Sequence, residues 1–396
     1  MKDNLLIFGA GVLQEPLIRT AKIKGFNTVV LDPDNNAFAK KCADIFYCVA
    51  GIDFNRTLAI AKKYKVKGVV TSSTERPLLM MARIAEELNL TFPSCDSIKN
   101  STDKYLMKQC FRKANLPCAD GILIDRKFNK DNIKKLKFPL IIKPVDNSGS
   151  RGVIYCKNLA ELGNKLYETY KYSSSEKILA EEYIDGKEIS VESFILKGKT
   201  YILQFTDKIT SEPPYNVEMG HIQPSGISSD IQEIISKIIS RAVSSLGLDN
   251  CICHSELKIT KNNKPVLIEI GARLGGDFIT SYLVPLSTGI NMDSLAINIA
   301  VGNNIRLRKK KKYCSSIEYF NFKSGKVKDI KNWEKIFKDK NIVRVDIPFN
   351  VNENIVNISN SLNRHGFIIA RGIEKRKMIM SLNNAISFIT SKIIIE

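Results

Sequence analysis

Along residues 1–94, short apolar runs of strand length alternate with longer segments whose apolar positions recur at helical spacing. This pattern predicts strands at 5–8, 28–31, 45–49 and 68–71 and helices at 13–24, 57–64 and 76–88. Strands that alternate with helices are typical of a parallel sheet. We therefore expect a Rossmann-like α/β layer at the start of the chain.

The turn at residues 9–14 contains part of a dinucleotide-binding fingerprint. Gly9 and Gly11 occupy its first two glycine positions, and Asp32 follows about 20 residues later, where a ribose-binding acid would lie. Gln14 replaces the third glycine, which allows close packing of the helix. The sequence favours a tight strand-to-helix turn, and an NAD-dependent oxidoreductase stays as an alternative.

After residue 94 the pattern changes to a mixture of strands and helices. It predicts helices from Lys104 to about Asn115, at 159–172 and at 230–246, and strands at 178–184, 187–192, 255–260 and 265–270. The last two strands are joined by the turn Asn262-Asn263 and are expected to pair.

The stretch 138–153 joins an apolar run to a small polar segment. The run 139–142 has the length of a buried strand, and Lys143 follows it directly. A buried lysine needs an anion or a route to water. The glycines of the segment 146–152 let backbone N–H groups approach a ligand, so the stretch suggests a phosphate site. A strand that ends in an ordinary turn with a snorkelling lysine is the alternative.

Composition narrows the class of protein. The 396 residues are 44% hydrophobic, which is typical of a globular protein, and we expect no membrane segment or signal peptide. The formal charge of +19 is spread along the chain without an aromatic-interleaved basic motif, so a nucleic-acid-binding module is not favoured. Nine scattered cysteines without a CxxC pair indicate reduced thiols and a cytoplasmic protein. Cys251, Cys253 and His254 suggest a soft-metal site, but buried core thiols are the favoured interpretation.

Four separated motifs resemble, in order and spacing, those of the ATP-grasp superfamily of carboxylate–amine ligases. They are Asp103-Lys104 at a helix start, Ile-Ile-Lys-Pro at 141–144 with its loop, Glu-Glu-Tyr-Ile-Asp-Gly-Lys-Glu at 181–188, and the two carboxylates of segment 256–276. The resemblance implies an α/β and α+β fold in three domains. These are a Rossmann-like domain at 1–94, an ATP-grasp domain of two α+β subdomains at 95–305 with a lid at about 116–182, and a small α+β cap at 306–396.

The resemblance also implies where ATP binds. Lys104 and Lys143 would meet the α- and β-phosphates, and Glu188 would hold the ribose hydroxyls. Backbone groups of one segment would read the adenine edge, namely Glu181, Glu182, Tyr183 and Ile184. A loop would fold over the β- and γ-phosphates, with Arg151 and the backbone of Ser148, Gly149, Ser150 and Gly152.

Glu256 and Glu269 are expected to bind Mg²⁺, or Mn²⁺, because hard carboxylate oxygens suit these ions. A pair of strand carboxylates on a solvated face is the alternative. The family usually has an asparagine two residues after the second glutamate, where this chain has Gly271, so water or Asp277 is expected to replace that ligand. Arg273 would face the transferring phosphoryl group as a catalytic and substrate residue.

The segment 207–224 resembles the substrate loop of amino-acid ligases in this family. Glu218 would border the carboxylate site, and His221 would assist deprotonation of the amine. Glu75 is expected either to face the substrate or to cap the next helix.

The implied reaction joins a small-molecule carboxylate to an amine through an acyl phosphate, with release of ADP. A kinase that phosphorylates a small metabolite without ligation is the alternative. No nucleic-acid or membrane partner is expected, and a homodimer stays open.

Overall fold

The chain folds around several β-sheets, and the computed structural model describes residues 2–125, 133, 135–211, 217–307 and 312–396.

The N-terminal layer is a four-stranded parallel sheet in the order β3-β2-β1-β4. Its strands are β1 (Asn4–Phe8), β2 (Asn27–Asp32), β3 (Ile45–Cys48) and β4 (Val69–Thr71), and its helices are α1 (Glu15–Ile23), α2 (Phe54–Lys63) and α3 (Leu78–Leu88). The predicted Rossmann-like layer is thus confirmed. Helix α2 begins earlier than predicted because the Asp53 carboxylate accepts the backbone N–H of Arg56 and caps it.

The side chain of Gln14 is hydrogen-bonded within the turn after β1. The Gln14 side chain accepts the N–H of Gly11 at 3.0 Å, and the Asp32 carboxylate accepts the N–H of Ala10 at 2.7 Å. A side chain at Gly11 would collide with Gln14, since an added Cβ would lie 2.9 Å from its amide oxygen. The Gly11 N–H and the Asp32 carboxylate, which a bound dinucleotide would need, are thus both hydrogen-bonded within the protein at this turn.

Two consecutive helices follow, α4 (Cys95–Thr102) and α5 (Lys104–Lys113). The sequence predicted only the second helix. Asp103 separates the two helices because its backbone is extended, with φ −90° and ψ 111°, and its carboxylate accepts two N–H groups of α5.

A second, antiparallel sheet has the order β5-β8-β6-β7 and packs against helix α6 (Leu162–Tyr170). Its strands are β5 (Gly121–Ile124), β6 (Leu140–Pro144), β7 (Ile154–Cys156) and β8 (Ile178–Glu182). Strand β6 carries Lys143 and β8 carries Glu181. Ile141 pairs with Glu181 and Lys143 pairs with Leu179, so Lys143 and Glu181 are diagonal neighbours on one face of the sheet.

An eight-stranded sheet in the order β13-β12-β9-β10-β11-β14-β18-β16 extends through the rest of the chain. Its strands are β9 (Gly186–Leu196), β10 (Lys199–Thr210), β11 (Glu218–Gln223), β12 (Cys251–Thr260), β13 (Pro265–Gly271), β14 (Cys314–Tyr319), β16 (Ile342–Asp346) and β18 (Phe367–Gly372). The sheet crosses residue 305, so strands on both sides of this predicted domain boundary pair directly through β11 and β14. The boundary itself stays a prediction.

The two faces of this sheet differ in character because successive residues point to opposite sides. Ile189 and Val191 of β9 join the apolar core together with α7 (Ser229–Ser245). The alternate positions, Glu188, Ser190 and Glu192, face the other way. The elements that cover this polar face include a π-helix (Ile279–Leu283), α8 (Val284–Thr288) and α9 (Met292–Ala300).

The C-terminal part adds a three-stranded sheet and a helix. The sheet has the order β17-β15-β19, with β15 (Gly325–Ile330), β17 (Asn354–Ile355) and β19 (Ile393–Ile395), and the helix is α10 (Lys375–Thr390). Among the described residues, none of the helices has the length and apolar content that crossing a bilayer requires.

Candidate active site

A cavity of about 790 Å³ lies where the two larger antiparallel sheets and the N-terminal layer meet. Most side chains predicted from the sequence line it, namely Glu75, Lys104, Lys143, Ser148, Gly149, Ser150, Arg151, Glu181, Glu182, Tyr183, Ile184, Glu188, Glu218, Glu256, Glu269 and Arg273. Gly152 and His221 are outside the described wall. The size is in the range of small-molecule sites, which is about 300–1,000 Å³.

Helix α5 brings Lys104 into the cavity from its first position. The Lys104 ammonium donates to the backbone carbonyl of Asn147 at 2.7 Å and lies 3.3 Å from the Glu269 carboxylate. Burial by itself would lower the pKa of Lys104, but the charge of Glu269 raises it. The ammonium is therefore charged at neutral pH and links the loop after β6 to strand β13.

Lys143 shares a buried carboxylate with a second lysine that the sequence analysis missed. The Lys143 ammonium lies 2.5 Å from one oxygen of Glu181, and the Lys108 ammonium lies 3.1 Å from the other. Burial would raise the pKa of Glu181, but the charges of Lys108 and Lys143 lower it to about 2. When both lysines are protonated, the three side chains carry one net positive charge beside the cavity. The i, i+4 spacing of Lys104 and Lys108 on one helix face was the available signal.

The loop after β6 contains left-handed backbone. Gly149 and Ser150 have φ values of 69° and 57°, a conformation that can turn backbone N–H groups toward an anion. Gly152 serves a different purpose, because an added Cβ there would lie 2.8 Å from the side chain of Tyr172. Residues 148–151 of the predicted loop thus line the cavity, whereas Gly152 packs against Tyr172.

Two of the three backbone N–H groups of residues 182–184 are hydrogen-bonded within the protein. The N–H groups of Glu182 and Tyr183 donate to the carbonyls of Asp120 and Pro139 at 2.8 and 3.0 Å. In the described part of the chain, the N–H of Ile184 has no such partner. Among these three residues, Ile184 is therefore the one whose backbone N–H could donate a hydrogen bond to a ligand.

Strand β10 brings a buried lysine between three carboxylates. The Lys208 ammonium lies 2.6 Å from Glu188, 2.6 Å from Glu218 and 2.9 Å from Glu256, and its side chain is 1% exposed. Burial would lower the pKa of Lys208, but these carboxylates raise it well above its ordinary value. Lys208 thus ties together three residues that the sequence predicted to have separate roles.

The prediction of a loop over 207–224 is wrong for most of its length. Strand β10 continues to Thr210, and β11 begins at Glu218, because alternating polar and apolar residues pair with neighbouring strands. Residues 212–216 of the predicted loop lie outside the described part. Sequence reasoning missed Lys208 because it placed this residue in the loop.

His221 is a buried strand residue and does not reach the cavity wall. Its Nε2 atom lies 3.1 Å from the Asp277 carboxylate, and Asp277 itself lines the cavity. Direct proton exchange between His221 and a ligand, as the sequence analysis expected, is not supported by this placement. His221 pairs with Lys208 in the β10–β11 ladder, so the two side chains project from the same face of the sheet.

Glu256 and Glu269 are direct neighbours across the β12–β13 ladder. Oε1 of Glu256 lies 2.9 Å from the Lys208 ammonium and 3.3 Å from Nε2 of His254, and Lys104 lies beside Oε2 of Glu269. Among the described residues, no donor is hydrogen-bonded to the second oxygen of either carboxylate. These two residues fit a divalent cation, because each has a hard oxygen without a protein partner.

The pKa values of Glu269 and Glu256 are shifted in opposite directions. Burial raises the pKa of Glu269, although the charge of Lys104 counteracts it. Burial acts the same way on Glu256, but Lys208 and His254 hold its pKa well below the usual range. Glu256 therefore remains ionised at every pH at which the protein is expected to work.

Arg273 and Glu75 form an ion pair at the cavity wall. The Arg273 guanidinium donates to one oxygen of Glu75 at 2.8 and 3.2 Å. An added Cβ at Gly271 would lie 3.3 Å from the same oxygen. Glu75 thus pairs with Arg273 beside the position where the family usually has an asparagine.

The segment just before β18 supplies Arg364, a residue that the sequence analysis did not find. Arg364 donates to both oxygens of Asp277 at 2.6 and 2.7 Å, and its guanidinium lies 3.6 Å from the ring centre of Tyr319. Both oxygens of Asp277 are thereby engaged by Arg364, and the expectation that water or Asp277 replaces the missing metal ligand stays a prediction. No local motif marks Arg364, because its partner is far away in the sequence.

Residues 136–281 match a family model described as the ATP-grasp domain. The chain is 26% identical over 230 residues to alanine–anticapsin ligase of Bacillus subtilis (strain 168), a match that covers 52% of this chain and 48% of that protein. The chain thus spans about half the length of the curated relatives it matches.

Solved structures resemble the whole chain. The L-amino acid ligase from Bacillus licheniformis superposes with a TM-score of 0.83 at 21% identity, covering 100% of this chain and 98% of that one. Phosphoribosylglycinamide synthetase from Anaerococcus prevotii superposes with a TM-score of 0.77 at 23% identity, covering 100% of both chains. At these identities the similarity establishes the fold.

Proposed function

We propose that this chain, whose residues 136–281 match the ATP-grasp domain model, is an ATP-dependent ligase that joins a carboxylate to an amine and releases ADP and phosphate. One observation carries the proposal: Lys104, Lys143, Glu256 and Glu269 line a single cavity although they are widely separated in sequence. Two ammonium groups opposite two carboxylates suit a metal-bound triphosphate.

The nucleotide would lie between the two antiparallel sheets. Lys143 and Lys104 would contact the phosphates as point charges, and the net positive charge of the Lys108, Lys143 and Glu181 group favours an anion there. The N–H of Ile184 would read the adenine edge, and Glu188 would hold the ribose. Backbone N–H groups of the loop 148–150 would cover the terminal phosphates.

Glu256 and Glu269 would hold Mg²⁺, or Mn²⁺, through the oxygens that lack protein donors. When bound, the ion neutralises charge on the phosphate oxygens during phosphoryl transfer. The Lys208 ammonium would hold the carboxylate of Glu256 in place and would also restrain those of Glu188 and Glu218. The protein's own contribution is thus to position charge before the reactants arrive.

In the first chemical step, an oxygen of the substrate carboxylate attacks the γ-phosphorus, the bond to the β-phosphate oxygen breaks, and ADP leaves. In the second step, the amine attacks the carbonyl carbon of the acyl phosphate, the carbon–oxygen bond to phosphate breaks, and an amide forms while the departing phosphate takes up the proton that the nitrogen loses. Arg273 lies beside the two carboxylates and would stabilise charge on the transferring group. Positioning and electrostatics dominate in such phosphoryl transfers.

The substrates would be small molecules. Glu75, Glu218 and the Asp277–Arg364 pair line the same cavity and would border the substrates. The nine cysteine thiols are free, which fits our proposal of a cytoplasmic enzyme.

The reaction class is tested by trapping the intermediate. We expect incubation with Mg-ATP, pooled carboxylic acids and hydroxylamine to yield one or a few hydroxamates, identified by mass, because hydroxylamine intercepts an acyl phosphate. Omission of ATP is the control and should abolish them. A stable phosphorylated metabolite with no hydroxamate would instead identify a kinase and contradict the proposal.

A further inference from the structure

The polar face of the eight-stranded sheet continues inward beyond the cavity. Behind Glu256 lies His254, and behind His254 lies Glu192, whose side chain is 0% exposed. The last two residues are direct cross-strand neighbours, because His254 of β12 pairs with Glu192 of β9. A carboxylate this deeply buried is costly unless it is paired.

The three side chains form a continuous hydrogen-bonded chain. Nδ1 of His254 lies 2.6 Å from Oε1 of Glu192, and Nε2 lies 3.3 Å from Oε1 of Glu256. An ionised carboxylate only accepts hydrogen bonds, so an imidazole between two of them donates on both sides. The ring orientation is therefore fixed from both ends.

Glu192 depends on this contact with His254. In the described structure, the second oxygen of Glu192 has no hydrogen-bond partner. His254 is thus the partner that balances this buried carboxylate.

The hydrogen-bonded side chains of Glu192 and His254 are also closely packed against backbone. An added Cβ at Gly275 would lie 2.7 Å from Nδ1 of His254 and 3.1 Å from Oε2 of Glu192. The backbone after β13 therefore closes over the Glu192–His254 contact. Neither side chain has room to turn away while this backbone stays in position.

His254 and Lys208 both approach the same oxygen of Glu256, Oε1. Their contacts set the rotation of the carboxylate group and leave Oε2 as the oxygen without a protein donor. An oxygen held in this way is pre-oriented for a cation, whereas a free glutamate would lose side-chain freedom when it binds.

We propose that Glu192 and His254 are positioning residues that act as one unit, with Glu192 orienting His254 and His254 orienting Glu256 toward the divalent cation. The inference rests on the proposed function, since Glu256 is a metal ligand only within it. Glu192 would then govern metal affinity without lining the cavity. Outer partners of this kind typically change metal affinity by about 10- to 100-fold.

The test measures Mn²⁺ binding in the presence of ADP by electron paramagnetic resonance, in the wild type and in the variants Glu192→Gln and His254→Gln. We expect the Kd for Mn²⁺ to rise about tenfold or more in both variants. Binding of adenosine, which carries no phosphate, should stay near the wild-type affinity. A merely structural role would weaken adenosine binding as well.

Gln204→Leu is the matched control. Gln204 pairs with Glu192 in the β9–β10 ladder, but its side chain donates to Ser287 at 2.9 Å, whereas the ring of His254 is hydrogen-bonded to Glu192 and Glu256. Wild-type Mn²⁺ affinity in both test variants, or an equal loss in Gln204→Leu, overturns the inference. Two test variants are used because either one alone could fail to fold, which thermal unfolding would reveal.

Failure of the proposed function gives a different result. If the wild-type protein itself binds no Mn²⁺ with ADP, the metal site is absent and both proposals fall. If the wild type binds the ion and the Glu192 and His254 variants bind it equally well, only the positioning role falls.

Discussion

Replacing Lys143 with alanine is expected to lower kcat/KM for ATP by at least about 100-fold, the size typical of removing one preorganised electrostatic contact. Lys143 lies on β6 with its ammonium 2.5 Å from Glu181, and its side chain is 5% exposed. Without it, Lys108 and Glu181 neutralise each other, so this group of side chains loses its net positive charge. Steady-state kinetics with varied ATP measures the effect.

The fold should survive this change because Glu181 keeps Lys108 as a partner. Lys157→Ala is the control: it removes an exposed lysine just after β7, outside the cavity wall, and should leave the kinetics unchanged. Full activity of Lys143→Ala would show that no phosphate relies on this ammonium.

The second large effect is expected for Glu269→Gln. The substitution keeps the shape of the side chain but removes a negative charge that faces the cavity beside Glu256. Metal-assisted charge stabilisation is worth several kcal/mol, and about 1.4 kcal/mol corresponds to tenfold, so turnover should fall by at least about 100-fold. Mn²⁺ binding with ADP, followed by paramagnetic resonance, should weaken in parallel.

An exposed carboxylate serves as the control for this variant. Glu233 lies on α7, 69% exposed and paired with Lys237, and Glu233→Gln should change neither turnover nor Mn²⁺ binding. Retention of wild-type metal affinity by Glu269→Gln would remove this residue from the metal site.

The fold could be predicted largely from local pattern. The N-terminal strands alternate with helices, and the buried runs are apolar, so the parallel sheet followed from periodicity and is confirmed. The pairing of 255–260 with 265–270 is likewise confirmed, because a short polar turn joins the two strands. Helix α4 was not predicted, because Asp103 signals only the start of α5 and not the end of a preceding helix.

The candidate site was predictable where a motif marks the residue. Lys104, Lys143, Glu256 and Glu269 stand in recognisable segments, and the structure brings them to one cavity. Their individual roles stay predictions.

Residues whose position depends on distant strands could not be found in this way. Lys208 meets Glu188, Glu218 and Glu256 only because β9, β10, β11 and β12 are neighbours in the sheet. Arg364 reaches Asp277 because the C-terminal strands extend the same sheet. Such contacts are long-range, and no spacing along the chain encodes them.

The central claim is that a substrate carboxylate is activated by phosphorylation, and isotope transfer tests it most directly. Once the hydroxamate identifies the acid, that acid is prepared with oxygen-18 in both carboxylate oxygens and incubated with Mg-ATP and the amine. We predict that the released phosphate carries one oxygen-18 atom and that the amide keeps the other. Phosphate released without the label, while the amide forms, would contradict the acyl-phosphate mechanism.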